Sequence, residues 1–209
     1  MPVESLRVPD REGWTSLIDA WGSLLDRYET ATVADEDVAY WHREESLTAL
    51  LATAAWQSGG IGVVEFETQR HRMLKEQSGA GAGDAWLRVG KSWYALEAKL
   101  CWVPDEIKSN LEAAQTDLST LAPGDRADFG VALCYCVPSI KGKARDGLIA
   151  TLARDLGRRF PESSLVVAYT TQRRPAPEHQ GCAYPGLVMV GKVIEWKPKT
   201  DKRAPNLEH

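Results

Sequence analysis

The chain lacks any apolar stretch long enough to cross a bilayer. Its longest, Leu47 to Trp56, is interrupted by threonine and falls short of the ~20 residues a spanning helix needs. The N-terminus has no basic-then-apolar signal pattern, so the expected setting is cytoplasmic, with no membrane partner. Cysteine is sparse, with Cys101, Cys134, Cys136 and Cys182 the only four in 209 residues and no CxxC pair among them. That spacing argues against structural zinc and predicts reduced thiols, with Cys134 and Cys136 as small core residues on one strand face. Positive charge is not in excess either. A net charge of −4 excludes a broad basic surface that coats nucleic acid, so any such contact must be local. Basic residues cluster at Arg70-His71-Arg72 with Lys75, and at Lys141, Lys143, Arg145, Arg154, Arg158 and Arg159, although such runs also serve as solvated helix faces.

What is present suffices for one ordinary domain, with 44% hydrophobic residues to fill a core and 26% charged residues to cover it. No repeat or linker divides residues 1–206, and Leu207-Glu208-His209 read as the remnant of a tag. Trp14, Leu17, Ile18, Trp21, Leu24, Leu25 and Tyr28 recur at helical spacing, predicting an amphipathic helix over 12–29 that packs as a lid. A second helix is expected from Asp37 to Gln57, ended by Gly59-Gly60. Gly62 to Thr68 reads as a strand. A Gly/Ala-rich loop, Ser78 to Gly83, then leads into a hairpin of Asp84–Val89 and Trp93–Cys101. Helices at 104–121 and 144–160 alternate with strands at 129–137 and 165–171. A last strand pair, 187–190 and 193–197, closes the chain. This order predicts an α/β fold, a mixed sheet covered by helices on both faces.

An acidic residue, one spacer and a lysine occur three times, at Glu97-Ala98-Lys99, Glu106-Ile107-Lys108 and Glu195-Trp196-Lys197. In a helix, residues two apart diverge, which removes Glu106 and Lys108. In a strand they share a face, as Glu97 and Lys99 would, opposite the apolar Tyr94, Leu96, Ala98 and Leu100. If Gly90-Lys91 makes a two-residue type II′ turn, Val89 pairs with Ser92 and Asp84 falls directly opposite Glu97. Opposed β-carbons lie about 4.5–5.5 Å apart, so both carboxylates can hold one cation, and oxygen donors of this kind suit Mg2+ or Mn2+. The same count places Val188, not a carboxylate, opposite Glu195.

Asp84, the hairpin, Glu97-Ala98-Lys99 and a preceding helix bearing Glu44 resemble the PD-(D/E)xK nuclease superfamily, whose fold is restriction-endonuclease-like. The resemblance covers roughly Tyr40 to Val137, within a nuclease-like core of residues 37–137. The proline usual before the aspartate is replaced by Gly83. The resemblance implies Asp84 and Glu97 as metal ligands, the Ala98 carbonyl as a further ligand, and Glu44, with Glu45 as its fallback, completing the site directly or through water. It implies Lys99 as the residue that orients water and stabilises charge developing on the phosphate. Accessory candidates are Glu67, in preference to Glu65, and Gln115. Trp86 and Trp93 share the face of the motif and either stack on bases or pack beneath a helix.

These residues lead to an expectation of a metal-dependent nuclease, acting on DNA ahead of RNA, in defence or nucleic-acid processing and with a protein partner or a homodimer allowed for. Two other readings stand beside it: a non-catalytic scaffold that keeps the fold, and a nuclease subunit whose partner supplies DNA specificity. The bland reading of the motif is a cross-strand charge group on a solvated sheet face.

Overall fold

A computed structural model of the chain describes residues 3–35, 37–71, 78–121, 127–141, 147–173 and 175–196, with backbone alone at 66–71 and 78–82. In chain order the elements are β1 (Val3–Arg7), α1 (Trp14–Ala31), α2 (Glu44–Gln57), β2 (Ile61–His71), β3 (Ser78–Val89), β4 (Ser92–Cys101) and α3 (Ile107–Ser119). There follow β5 (Phe129–Cys136), β6 (Ile140–Lys141), α4 (Leu148–Arg159), β7 (Leu165–Thr170), β8 (Glu178–His179), β9 (Cys182–Ala183) and β10 (Gly186–Glu195).

Seven strands form one sheet in the order β1-β7-β10-β5-β4-β3-β2, and β6-β9-β8 form a small second sheet. In the large sheet β4 and β5 run parallel, and the other described pairs are antiparallel. Alternation along the strands divides the core. Leu96, Ala98, Leu133, Tyr135, Val167, Tyr169 and Met189 lie under α1 and α2, while Cys134, Cys136, Val166, Ala168, Val188 and Val190 lie under α3 and α4. The fold is therefore α/β, with a mixed sheet between two helical layers.

Several sequence expectations need correction. Helix α1 is not a lid: Trp14, Leu17, Ile18, Trp21 and Leu25 are fully buried in the main core. Helix α2 begins at Glu44 rather than Asp37, because Ala39–Trp41 form a 3-10 turn and the backbone at Arg43 is extended. The Gly/Ala run 78–83 is strand, not loop, since β2 reaches His71 and Phe66 to His71 pair with Gly83 to Ser78. The expected closing pair is one continuous strand, β10, between β5 and β7. Gly191 makes no turn there, and the need for glycine is spatial, because a Cβ would sit 2.4 Å from Leu133 Cδ2. Strand β1, at the far edge of the sheet, was not expected at all. The thiols follow expectation: Cys101, Cys134 and Cys136 are buried, with Cys101 Sγ 3.7 Å from Cys134 Sγ. The basic residues Arg154, Arg158 and Arg159 form the exposed face of α4, whereas residues 142–146, 72–77 and the side chains of Arg70 and His71 lie outside the described ones.

The end of α1 carries a buried carboxylate. Glu29 is 3% exposed, and its Oε2 accepts a hydrogen bond from Thr171 Oγ1 at 2.6 Å. Burial raises its pKa against the lowering effects of Thr171, Tyr40 and Arg173. A carboxyl whose folded pKa is raised adds stability that is fully present below its unfolded pKa and is lost as pH rises through the folded value. Glu29→Gln is isosteric and keeps an acceptor for Thr171. Its melting temperature relative to wild type should therefore be higher near pH 7 than near pH 4, and an unchanged difference across that range would refute the assignment.

Candidate active site

The site begins with a turn. Gly90 has φ +59° and Lys91 stays out of the left-handed region, as a type II′ turn requires. A side chain at Gly90 would also meet the Glu12 carbonyl oxygen at 2.8 Å. Val89 pairs with Ser92, and the ladder runs to Ala85 with Leu96, so its next pair is Asp84 with Glu97. There the backbone ladder stops. The Ala98 N–H is donated instead to Asp84 Oδ2 at 2.7 Å, so the aspartate side chain fills the gap where the two strands part.

Glu97 is 2% exposed, which removes the reading of the motif as a solvated charge group. Lys99, on the same face, is half-buried, and its Nζ lies 2.8 Å from Asp117 Oδ2 of α3. Burial pulls the Lys99 ammonium down, but the hydrogen bond and charge of Asp117, then the charges of Asp84 and Glu97, carry its pKa above the ordinary lysine value. Lys99 is therefore held as a cation by Asp117, with the charges of Asp84 and Glu97 adding to the effect. Sequence reasoning missed Asp117. Its only sequence signal is the α3 periodicity, which sets Asn110, Ala114 and Asp117 along one side of the helix; Asn110 meets the Leu100 carbonyl at 3.5 Å.

The charge of Asp84 is also felt in the opposite helical layer. Burial raises the pKa of the Tyr135 phenol, and the Asp84 charge raises it further. Thr48 of α2 lies beside that phenol without completing a hydrogen bond to it. Glu44, the first residue of α2 and one turn before Thr48, makes no hydrogen bond or ion pair with the described residues. Glu45 beside it is exposed. Among the described residues no group of three or more His, Cys, Asp and Glu side chains is set to hold a metal, so Glu44 does not join Asp84 and Glu97 directly. Magnesium does not demand a third: it is commonly held by one or two carboxylates while keeping several waters. Asp84 and Glu97, with the Ala98 carbonyl, fit that donor chemistry.

The accessory candidates separate. Gln115 lines a groove of about 350 Å³ between α3 and α4, beside Lys108, Arg159 and Lys192, away from the side of α3 that carries Asp117. Glu67 pairs with Ala82 along the backbone, but its side chain lies outside the described residues. Glu65 falls opposite Asp84, between the pairs Val64–Ala85 and Phe66–Gly83. Its φ of +50° is an uncommon, strained conformation for a non-glycine residue, of a kind that gathers at functional sites. Trp86 and Trp93 pack on each other with centroids 5.5 Å apart. No helix among the described residues is long and apolar enough to cross a membrane. No family model, curated protein or solved structure matches the chain, so the geometry of the site carries the functional reading.

Proposed function

We propose that the chain is a metal-dependent nuclease of the PD-(D/E)xK type, with a restriction-endonuclease-like fold, hydrolysing phosphodiester bonds of nucleic acid, DNA ahead of RNA. The observation that carries this reading is the hairpin register that sets Asp84 opposite Glu97 at the point where β3 and β4 part, with Lys99 on the same face as Glu97. Asp84, Glu97 and the Ala98 carbonyl would hold magnesium, with Glu44 contributing through water. Magnesium, when bound, supplies Lewis-acid polarisation of a phosphoryl oxygen and lowers the pKa of water. The protein's own part is positioning. Lys99 directs its ammonium to the attacking water and to the charge that develops on the phosphate. Asp117 fixes the Lys99 side chain and keeps it protonated. Burial of Glu97 removes competing solvent, which strengthens each of these interactions.

The test is a cleavage screen over single- and double-stranded DNA and RNA with magnesium or manganese. Activity counts only if it disappears in Asp84→Asn, Glu97→Gln and Lys99→Ala proteins purified identically. A wild type that cleaves nothing, and whose protein partner still binds all three variants, would leave the non-catalytic scaffold as the function.

Cation binding is open to a separate measurement. A ligand that binds only the folded state stabilises it by RT ln(1 + [L]/Kd), roughly 2.7 kcal/mol at a hundredfold excess over Kd. For a domain of this length that is about 5–10 °C in melting temperature. Magnesium or manganese should produce such a rise in the wild type and not in Asp84→Asn. An equal rise in both would show that the cation binds elsewhere.

A further inference from the structure

A second cavity, of about 440 Å³, opens at the carboxyl ends of the parallel strands β4 and β5. Trp102 directly follows β4 and Ser139 follows β5, and ligands in α/β sheets bind preferentially outside such strand ends. Three aromatic rings form its walls. Trp41 and Tyr184 meet at 5.6 Å between centroids and 74°, and Trp102 and Tyr184 at 6.0 Å and 79°. Trp102 is 40% exposed, so part of its ring is accessible to a ligand. Polar edges come from Ser139, His42 and His179, with the His179 ring 5.5 Å from Trp41.

Aromatic walls suit two ligand chemistries, organic cations and flat π-systems. An organic cation needs an anion to face it, and Asp37 is the carboxylate that lines this cavity. That carboxylate is already engaged. Tyr28 donates to Oδ2 at 2.6 Å, His42 Nε2 lies 3.2 Å from the same oxygen, and the Val38 N–H donates to Oδ1 at 2.9 Å. With both of its oxygens already taken by these donors, the cavity offers π-faces together with the hydrogen-bonding edges of Ser139, His42 and His179, which is the chemistry of a nucleobase edge and face.

We propose that this cavity is a binding site for one unpaired nucleobase, stacked on Trp102 and meeting Tyr184 edge to face. Its link to the cleavage site rests on the nuclease reading: Trp102 is three residues beyond Lys99, at most about 10 Å of chain, although Lys99 turns to α3 and the cavity's Trp41 and Tyr184 to the α1 and α2 side of the sheet. A strand whose phosphate lies at Lys99 can set a neighbouring base in the cavity only if that base is unstacked from its duplex, so the site selects single-stranded or locally opened DNA.

The experiment measures binding, by anisotropy of an end-labelled strand in EDTA, so that cleavage plays no part. The probes are an oligothymidylate, an abasic strand of equal length and charge, and a duplex containing the same oligothymidylate. The wild type should bind the oligothymidylate more tightly than either of the others. Trp102→Leu, which keeps apolar bulk without a π-face, should weaken the oligothymidylate by roughly 5- to 100-fold and leave the abasic strand unchanged. Trp102→Phe should recover most of the loss, which guards against a folding defect in the leucine variant. Equal affinity for the abasic strand, an unchanged Trp102→Leu protein, or equal affinity for duplex would each overturn the proposal. Displacement of the strand by millimolar choline would reassign the cavity to cations. These outcomes are independent of the cleavage screen. Base binding without cleavage would leave this site standing and remove the nuclease, and cleavage without base preference would do the reverse.

Discussion

Replacing Lys99 with alanine should lower metal-dependent cleavage by roughly 100- to 1,000-fold, the scale on which loss of one preorganised donor to a developing oxyanion acts. The fold should survive. The Lys99–Asp117 pair is a part-exposed contact, with side chains 29% and 37% accessible, and pairs of that kind are worth at most about 1 kcal/mol. The cation-induced rise in melting temperature should also persist, because the proposed ligands are the carboxylates and not the amine. Lys99→Ala thus separates chemistry from metal binding, whereas Asp84→Asn removes both. Single-turnover measurements would place the loss in the chemical step. Cleavage that continued at the wild-type rate in Lys99→Ala, in protein free of contaminating nuclease, would defeat the assignment of this site, whatever the sheet topology.

The heart of the site was legible because its geometry is local. A turn of two residues and a period of two fix which residues oppose one another, so Gly90-Lys91 is enough to set Asp84 against Glu97 over a hairpin that the structure reproduces pair by pair. Asp117 was not legible, because its contact with Lys99 depends on how α3 crosses β4, and sequence spacing carries no such information. The aromatic cavity failed for the same reason. Trp41, Trp102, Ser139, His179 and Tyr184 come from four separate stretches of chain and meet only when β4, β5 and the small sheet end at one place.

Errors in the fold came from residues with two uses. Glycine signals turns because it tolerates positive φ, as at Gly90, but it also permits close packing, as at Gly191 against Leu133. The Gly/Ala run 78–83 is a poor strand by propensity, yet the long partner β2 pairs with it along the backbone, and pairing outweighs propensity. Helix α2 was read too long because Val38, Ala39 and Tyr40 are apolar and buried, which periodicity cannot tell from a helical stripe.

The reading of α1 as a lid failed on packing, and the difference is measurable. Trp14 is fully buried and meets Tyr94 of β4 edge to face, at 5.3 Å and 89°. Tyr94 stacks on Phe129 of β5 at 5.3 Å, and Arg11 lies 3.9 Å over the Phe129 ring. The chain of rings ties α1 to β4, which bears Glu97 and Lys99, and to its parallel neighbour β5. Truncating a buried tryptophan to alanine costs about 3–5 kcal/mol. At about 2–4 °C per kcal/mol for a domain of this length, Trp14→Ala should lower the melting temperature by roughly 6–20 °C in a single cooperative transition. Val33→Ala, at a residue 57% exposed just beyond α1, should change stability by no more than about 0.5 kcal/mol. A lid would behave otherwise: Trp14→Ala would release α1 while the sheet melted at its wild-type temperature, giving two transitions by calorimetry. Seeing two transitions would restore α1 to the role that its amphipathic pattern alone suggested, and a single, much lower one would make it part of the scaffold that holds Glu97 and Lys99 in place.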